Sequence, residues 1–163
     1  MNKKVTFRTF DEYKENTTKP IDSFCGKWDF LSNFSNAEVT YEDVTYPTLE
    51  HAFQAAKTLV PNERKMILLA RTPGRAKRLG KTVTLRKNWN RLRLRIMEGL
   101  LRQKFRQYTD DYFKLMHTAG RDLIEGNHWN DTYWGICKGK GKNHLGKLLM
   151  KIRDERFPWG HIK

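Results

Sequence analysis

The sequence predicts an α+β fold: a single compact, mainly helical domain with a small β-hairpin. Three observations predict it. Residues 37–46 alternate in polarity about the pair Glu42-Asp43, as a hairpin does. Apolar residues recur at helical spacing over 88–108 and 143–155. Pro61 and Pro73 stand at expected helix starts, and Gly80 and Gly120 at expected helix ends. The length of 163 residues suits one domain over 1–163, large enough to bury a core without metal or disulfide staples.

The elements follow in order. Residues 5–10 alternate and predict an edge strand; polar residues then run to Pro20. A strand and a loop are expected over 21–34. The hairpin pairs 37–41 with 44–46. Thr48 is the expected N-cap of a helix reaching about Thr58. Pro61 opens a second helix, which ends before Thr72. Pro73 opens a short third, closed by Gly80. A long helix is expected over 88–108. On it Arg91, Arg95, Arg102 and Arg106 share one face, and Leu94, Met97, Leu101 and Phe105 occupy the adjacent, core-facing side. Thr109-Asp110-Asp111 caps a further helix. Residues 122–125 predict a short strand, and a glycine-rich stretch, 135–146, leads into a final helix over 143–155.

The chain carries 32 Lys and Arg against 18 Asp and Glu, a formal charge of +14. The excess is concentrated. Residues 75–106 hold twelve basic side chains and one acid, Glu98; residues 107–137 hold two basic and five acidic ones; residues 138–151 hold five lysines and no acid. Such a field suits polyanions or phosphorylated ligands, although a solvated surface gives the same count. Aromatics at 12% exclude a disordered chain. No apolar run approaches the roughly 18–20 residues of a membrane span, and the N-terminus lacks the apolar core of a secretory signal. No membrane contact and a cytoplasmic location are expected. Cys25 and Cys137 are expected as free thiols. The histidines and cysteines show no metal spacing, so neither metal nor cofactor is expected.

Three segments carry candidate chemistry. In the helix expected after Thr48, Glu50, Gln54 and Lys57 stand at i, i+4 and i+7, on one face. The acid can serve as a base toward water or a sugar hydroxyl, the amide can orient a ligand, and the amine can attack an aldehyde carbon or hold a phosphate. A solvated Glu–Lys pair explains the same spacing. The segment 126–135 gathers Trp129, Trp134 and Tyr133 with Asn130 and Asp131; it can sandwich a flat ring, or plug the core. Trp89 has the same two readings. The segment 135–146 combines Lys140, Lys142, Asn143 and several glycines before a helix, an anion cradle or a surface loop. It is not a Walker A loop.

The strings Asp29-Phe30-Leu31-Ser32-Asn33-Phe34, Tyr46-Pro47-Thr48-Leu49-Glu50-His51-Ala52-Phe53-Gln54-Ala55-Ala56-Lys57, Arg86-Lys87-Asn88-Trp89, Asn130-Asp131-Thr132-Tyr133-Trp134-Gly135 and Gly139-Lys140-Gly141-Lys142-Asn143-His144-Leu145-Gly146 occur in this order. With them the chain resembles the NADAR (YbiA-like) superfamily from about Phe24 to Glu155; residues 1–20 fall outside the match. The string around Glu50 is the specific one. The resemblance implies a mainly helical α+β domain with a cleft, and an N-glycosidase acting on phosphorylated ribosyl-base compounds. These are riboflavin-pathway ribosylaminopyrimidine phosphates, or ADP-ribose conjugates of guanine. It implies Glu50, Lys57 and Asp131 as the catalytic set, with Asp131 holding the ribose or base. Trp89 and Trp134 would wall the pocket, Asn33 and Phe34 would close its other side, and Gln54 and Gly135 would line it. The loop bearing Lys140, Lys142 and Asn143 would meet phosphate. The expected partner is a phosphorylated, nucleoside-like small molecule. The basic surface leaves a hydrolase of modified nucleic acid, or a non-enzymatic nucleic-acid binder, as rival readings, and the oligomeric state is left open.

Overall fold

A computed structural model of the protein describes residues 18–156. The strand expected over 5–10 lies outside the described residues. Backbone contacts group the chain into two units, Phe24–Lys114 and the described parts of Met1–Ser23 and Leu115–Lys163.

The larger unit opens with a 3-10 helix, Gly26–Leu31, and the antiparallel hairpin β1 (Asn36–Tyr41) and β2 (Val44–Thr48). Glu42 and Asp43 take positive φ of 46° and 62°, the backbone of the tight turn that matches the twist of a hairpin. Four helices follow: α1 (Leu49–Ala55), α2 (Pro61–Leu68), α3 (Pro73–Leu79) and α4 (Trp89–Lys104). Thr48 caps α1, its hydroxyl accepting the His51 N–H at 3.3 Å. The His51 ring then bridges Thr48 Oγ1 at 2.7 Å and the Ala70 carbonyl at 3.0 Å, which ties α1 to the end of α2. Leu49, Ala52 and Ala55 of α1 and Met97, Leu100 and Leu101 of α4 are buried in the core.

Two helices are shorter than their sequences predict. α1 stops at Ala55, not near Thr58. Lys57 N and Thr58 N bond the carbonyls of Gln54 and Ala55 in tighter three-residue steps, and the chain must become extended before Pro61. α4 stops at Lys104, not at Tyr108. Arg106 N reaches back only to Gln103 O, and Tyr108 has φ of 68°, which a helix interior does not hold.

In the smaller unit, β3 (Gly126–Asn127) pairs parallel with β4 (Ile136–Cys137), which pairs antiparallel with β5 (Lys140–Gly141). α6 (His144–Arg156) closes the described chain, and α5 (Asp110–Met116) leads in from the larger unit. The strand expected over 122–125 is reduced to one parallel bridge, Ile21 with Leu123. Gly126 N turns back onto Ile124 O, which ends the ladder. The buried Arg153 holds the preceding turn, donating to the Thr118 and Arg121 carbonyls at 2.9 and 2.8 Å. Among the described residues no helix is long and apolar enough to cross a membrane.

Candidate active site

The site of the larger unit starts at the first turn of α1. Glu50 N donates to the Asn33 carbonyl at 3.0 Å, so the loop after the 3-10 helix caps the helix that carries the acid. The Glu50 side chain is 5% exposed, and Gln54 Nε2 donates to its Oε1 at 2.7 Å. A buried carboxylate bonded by an amide is held in one orientation rather than sweeping through solvent.

Lys57 lies two residues past α1, in a tight turn. Its Nζ donates to the Gly80 carbonyl at 3.1 Å. Burial pushes its pKa below the ordinary lysine value; Glu50 opposes the shift, and the ammonium groups of Lys77 and Lys81 add to it. The acid and the amine therefore feel each other's charge although Lys57 is off the helix. Gly80, the C-cap of α3, permits this arrangement. A Cβ there would lie 1.9 Å from Gln54 Oε1 and 2.9 Å from Gln54 Cβ. Gln54 is thus wedged between Glu50 and a backbone position that only glycine leaves open.

The remaining expected residues of this unit have other surroundings. Asn33 supplies its carbonyl to α1, and its Oδ1 is buried without a hydrogen-bond partner. Phe34 is exposed, with Lys77 Nζ 5.6 Å from its ring centre. Trp89 is buried against Phe53, ring centres 5.2 Å apart, and fastens α4 to α1. Surface clefts of about 670 and 290 Å³ open elsewhere on this unit, the larger beside β1 and Lys104, the smaller beside Tyr41 and Arg95. None of the residues expected at the site lines either of them.

The other expected residues form a cluster of their own in the smaller unit. Asp131 Oδ1 accepts the Tyr133 and Trp134 N–H groups at 3.2 and 2.9 Å and shapes their turn. The rings of Tyr133, Trp134 and His144 pack together, Tyr133 to His144 at 4.5 Å. Gly135 is pressed against the Glu125 carbonyl, which a Cβ would meet at 2.1 Å. Asn143 spends both ends of its amide on backbone, accepting from Glu125 N and donating to Leu123 O. Lys140 is exposed, and Lys142 reaches over the Tyr133 ring at 5.9 Å. Cys25 is exposed, Cys137 is buried, and both are free thiols. Among the described residues no group of three His, Cys, Asp or Glu side chains could hold a metal ion.

The NADAR domain model matches residues 12–156, which takes in both units. The chain belongs to the NADAR family. Within that family it is 40% identical over 128 residues to N-glycosidase YbiA of Escherichia coli (strain K12), an alignment covering 77% of this chain and 79% of that one. It is 34% identical over 156 residues to the riboflavin biosynthesis protein PYRR, chloroplastic, of Zea mays, covering 83% of this chain and 25% of that longer one. The NMR structure of the E. coli protein YbiA superposes with a TM-score of 0.74 at 37% identity, over 85% of this chain and 84% of that one. The α+β fold expected from the sequence is thus the fold of a solved relative.

Several residues of this NADAR chain that matter to the geometry escape the sequence reading. Gly80 reads as a helix stop, and nothing local says that a glutamine packs on it. Lys77 and Lys81 read as surface charge on a basic helix. Lys104 does carry a sequence signal. It falls four residues after Leu100, at a core position of α4, and its buried ammonium donates to Ser32 O at 2.7 Å and Ser35 Oγ at 2.6 Å.

Proposed function

We propose that this chain hydrolyses the N-glycosidic bond of a phosphorylated ribosyl base, with Glu50 and Lys57 as the reacting groups. It is an enzyme of the N-glycosidase class, a hydrolase of N-glycosyl bonds, as its relatives at 40% identity are named. The name of the maize relative supports a ribosylaminopyrimidine phosphate as the substrate. The observation that carries the reading is the buried Glu50 carboxylate, fixed by Gln54 and within electrostatic reach of a desolvated amine.

Cleavage builds positive charge on the ribose C1′ and negative charge on the departing base. Glu50 beside C1′ stabilises the first and takes the proton of the attacking water. Gln54 is a positioning residue that decides which carboxylate oxygen faces the sugar. The depressed pKa of Lys57 favours a second route, because an amine attacks only when neutral. Lys57 Nζ adds to C1′, the C1′ bonds to the ring oxygen and to the base break, and the two amine protons end on those two atoms. Water then hydrolyses the imine and returns the amine.

Glu50→Gln should cut turnover by about 10²-fold or more while the circular dichroism stays that of the wild type. Near-normal turnover in that folded variant removes Glu50 from the chemistry. Borohydride added during turnover separates the routes. A ribose-phosphate adduct that is lost in Lys57→Ala supports the imine, and no adduct in the wild type leaves the direct attack of water.

A further inference from the structure

Beside α4 the larger unit carries a cleft of about 290 Å³ that none of the candidate catalytic residues lines. Leu92, Ile96 and Leu100 supply an apolar wall, Arg86 and Arg95 supply positive charge, and no Asp or Glu lines it. Gly99 lines it too. A Cβ there would meet no heavy atom within 4 Å beyond its own stretch of helix. Glycine is a poor helix former, and neither a positive φ nor a close neighbour requires it inside α4. The space it leaves open belongs to the cleft. The two arginines differ in setting. Arg86 is fixed at both ends: its backbone N–H donates to the Lys57 carbonyl at 2.7 Å, and its Nη1 donates to the Tyr41 hydroxyl at 2.9 Å and the Ala56 carbonyl at 3.4 Å. Glu42, which also pairs with Arg64, stands 3.8 Å from the same Nη1. Nε and Nη2 of Arg86 make no hydrogen bond among the described residues, and their N–H groups form the side-on edge of the guanidinium fork. Arg95 is exposed, and its side chain makes neither a hydrogen bond nor an ion pair among the described residues. The acid one turn on, Glu98, is bonded by Arg102.

We propose that this cleft binds a single-ring aromatic carboxylate, with its ring on the wall of Leu92, Ile96 and Leu100 in the space over Gly99, and its carboxylate at Arg86 and Arg95. The site is separate from the N-glycosidase reading, since none of these side chains carries the reaction. A volume of about 290 Å³ is at the lower end of ligand cavities and holds one ring rather than a nucleotide. A carboxylate is planar and takes two parallel N–H bonds from one guanidinium edge. Because Arg86 is already held by Tyr41, Ala56 and Lys57, its side-on edge loses little freedom when it binds. Glu42 offsets part of the Arg86 charge, so Arg95 supplies most of the attraction and Arg86 most of the direction. The apolar wall by itself takes any apolar group, and the arginines by themselves take any anion. Together they select a molecule that has both a ring and a carboxylate.

The test titrates benzoate into the isotope-labelled intact chain and follows NMR shifts. The backbone amide signals of Ile96 and Gly99 and the Nε–H signal of Arg86 should move together and saturate. Benzamide keeps the ring without the charge, and acetate keeps the charge without the ring; each should bind about tenfold more weakly or worse. Gly99→Leu fills the cleft with a side chain whose Cβ meets no neighbour, and it should weaken benzoate by about tenfold or more while the circular dichroism stays that of the wild type. Arg95→Gln should weaken it by about fivefold or more. Arg91→Gln removes the same charge from an exposed position on α4 outside the cleft and should change binding by less than about twofold. Wild-type affinity in either Gly99→Leu or Arg95→Gln overturns the site. So does equal affinity for benzamide or for acetate, and so does a wild type whose Ile96 and Gly99 signals show no saturable shift. A loss in Arg91→Gln equal to that in Arg95→Gln overturns it as well, for then benzoate answers only to the net charge.

Discussion

An amine buried beside other ammonium groups gives up its proton more readily than one in water, and Lys57 meets both conditions. The nearby Glu50 carboxylate accepts a hydrogen bond from the Gln54 amide. That bond depends on a missing methyl group. An alanine at 80 would put its Cβ 1.9 Å from Gln54 Oε1, and rotating the amide alone would not clear the 2.9 Å approach to Gln54 Cβ. The whole side chain must shift and take Nε2 off Glu50. Gly80→Ala should therefore lower kcat about tenfold or more and cost about 1–3 kcal/mol in a urea melt, although alanine is the better helix former at this φ of −64°. Wild-type turnover in this variant would show that Gln54 does not position Glu50.

Among the elements, α4 is the pillar on which the site's loop hangs. Lys104 at its end donates to Ser32 and Ser35, and those residues flank Asn33 and Phe34. Burial lowers the Lys104 pKa from 10.5 to about 8; Asp111 and Asp29 pull it up, and Lys114 pushes it down. The folded protein gives up this proton near pH 8, whereas the unfolded chain keeps it to about pH 10.5. Between those values the unfolded chain binds more protons, so this group makes stability rise with pH. Against Lys104→Met, the wild type should gain roughly 3 kcal/mol over that window, from a shift of about 2.5 pH units. Urea melts of both proteins at pH 7 and pH 10.5 measure it, and parallel curves would mean that the ammonium stays charged throughout. The same loop explains why α1 starts where it does: its capping partners come from residues 33 and 48, far from the apolar pattern that marks the helix itself.

On the scale of the whole molecule, the charge of +14 is a long-range property that no single contact expresses. A field of this sign raises the local concentration of anionic substrate and speeds its arrival. Raising the ionic strength from about 0.05 to about 0.5 M shortens the screening length to a few ångströms. For a phosphorylated substrate, kcat/KM should then fall several-fold with kcat nearly constant, and for the dephosphorylated substrate it should stay flat. Steady-state rates across a salt series decide this, and equal slopes for the two substrates would show that the charge steers nothing.

The elements were legible because they are encoded locally. The alternation about Glu42-Asp43 produces the hairpin, Thr48 and Thr72 cap the helices that follow them, and Pro61 and Pro73 open theirs. The string around Glu50 carried the family, and with it the fold and the class of reaction. Helix ends were less legible, because the tight turns at Lys57 and Arg106 answer to where the chain must go next. The setting of the candidate groups was decided by tertiary structure alone. Spacing put Lys57 on a helix face with Glu50; the folded chain takes it off the helix and returns it to the same neighbourhood through a carbonyl 23 residues away. Its burial, its weakened hold on a proton and the lysines around it arise from α3 packing onto α1 at a glycine. One-dimensional periodicity records which side of a helix is apolar, and it has no term for what packs against that side.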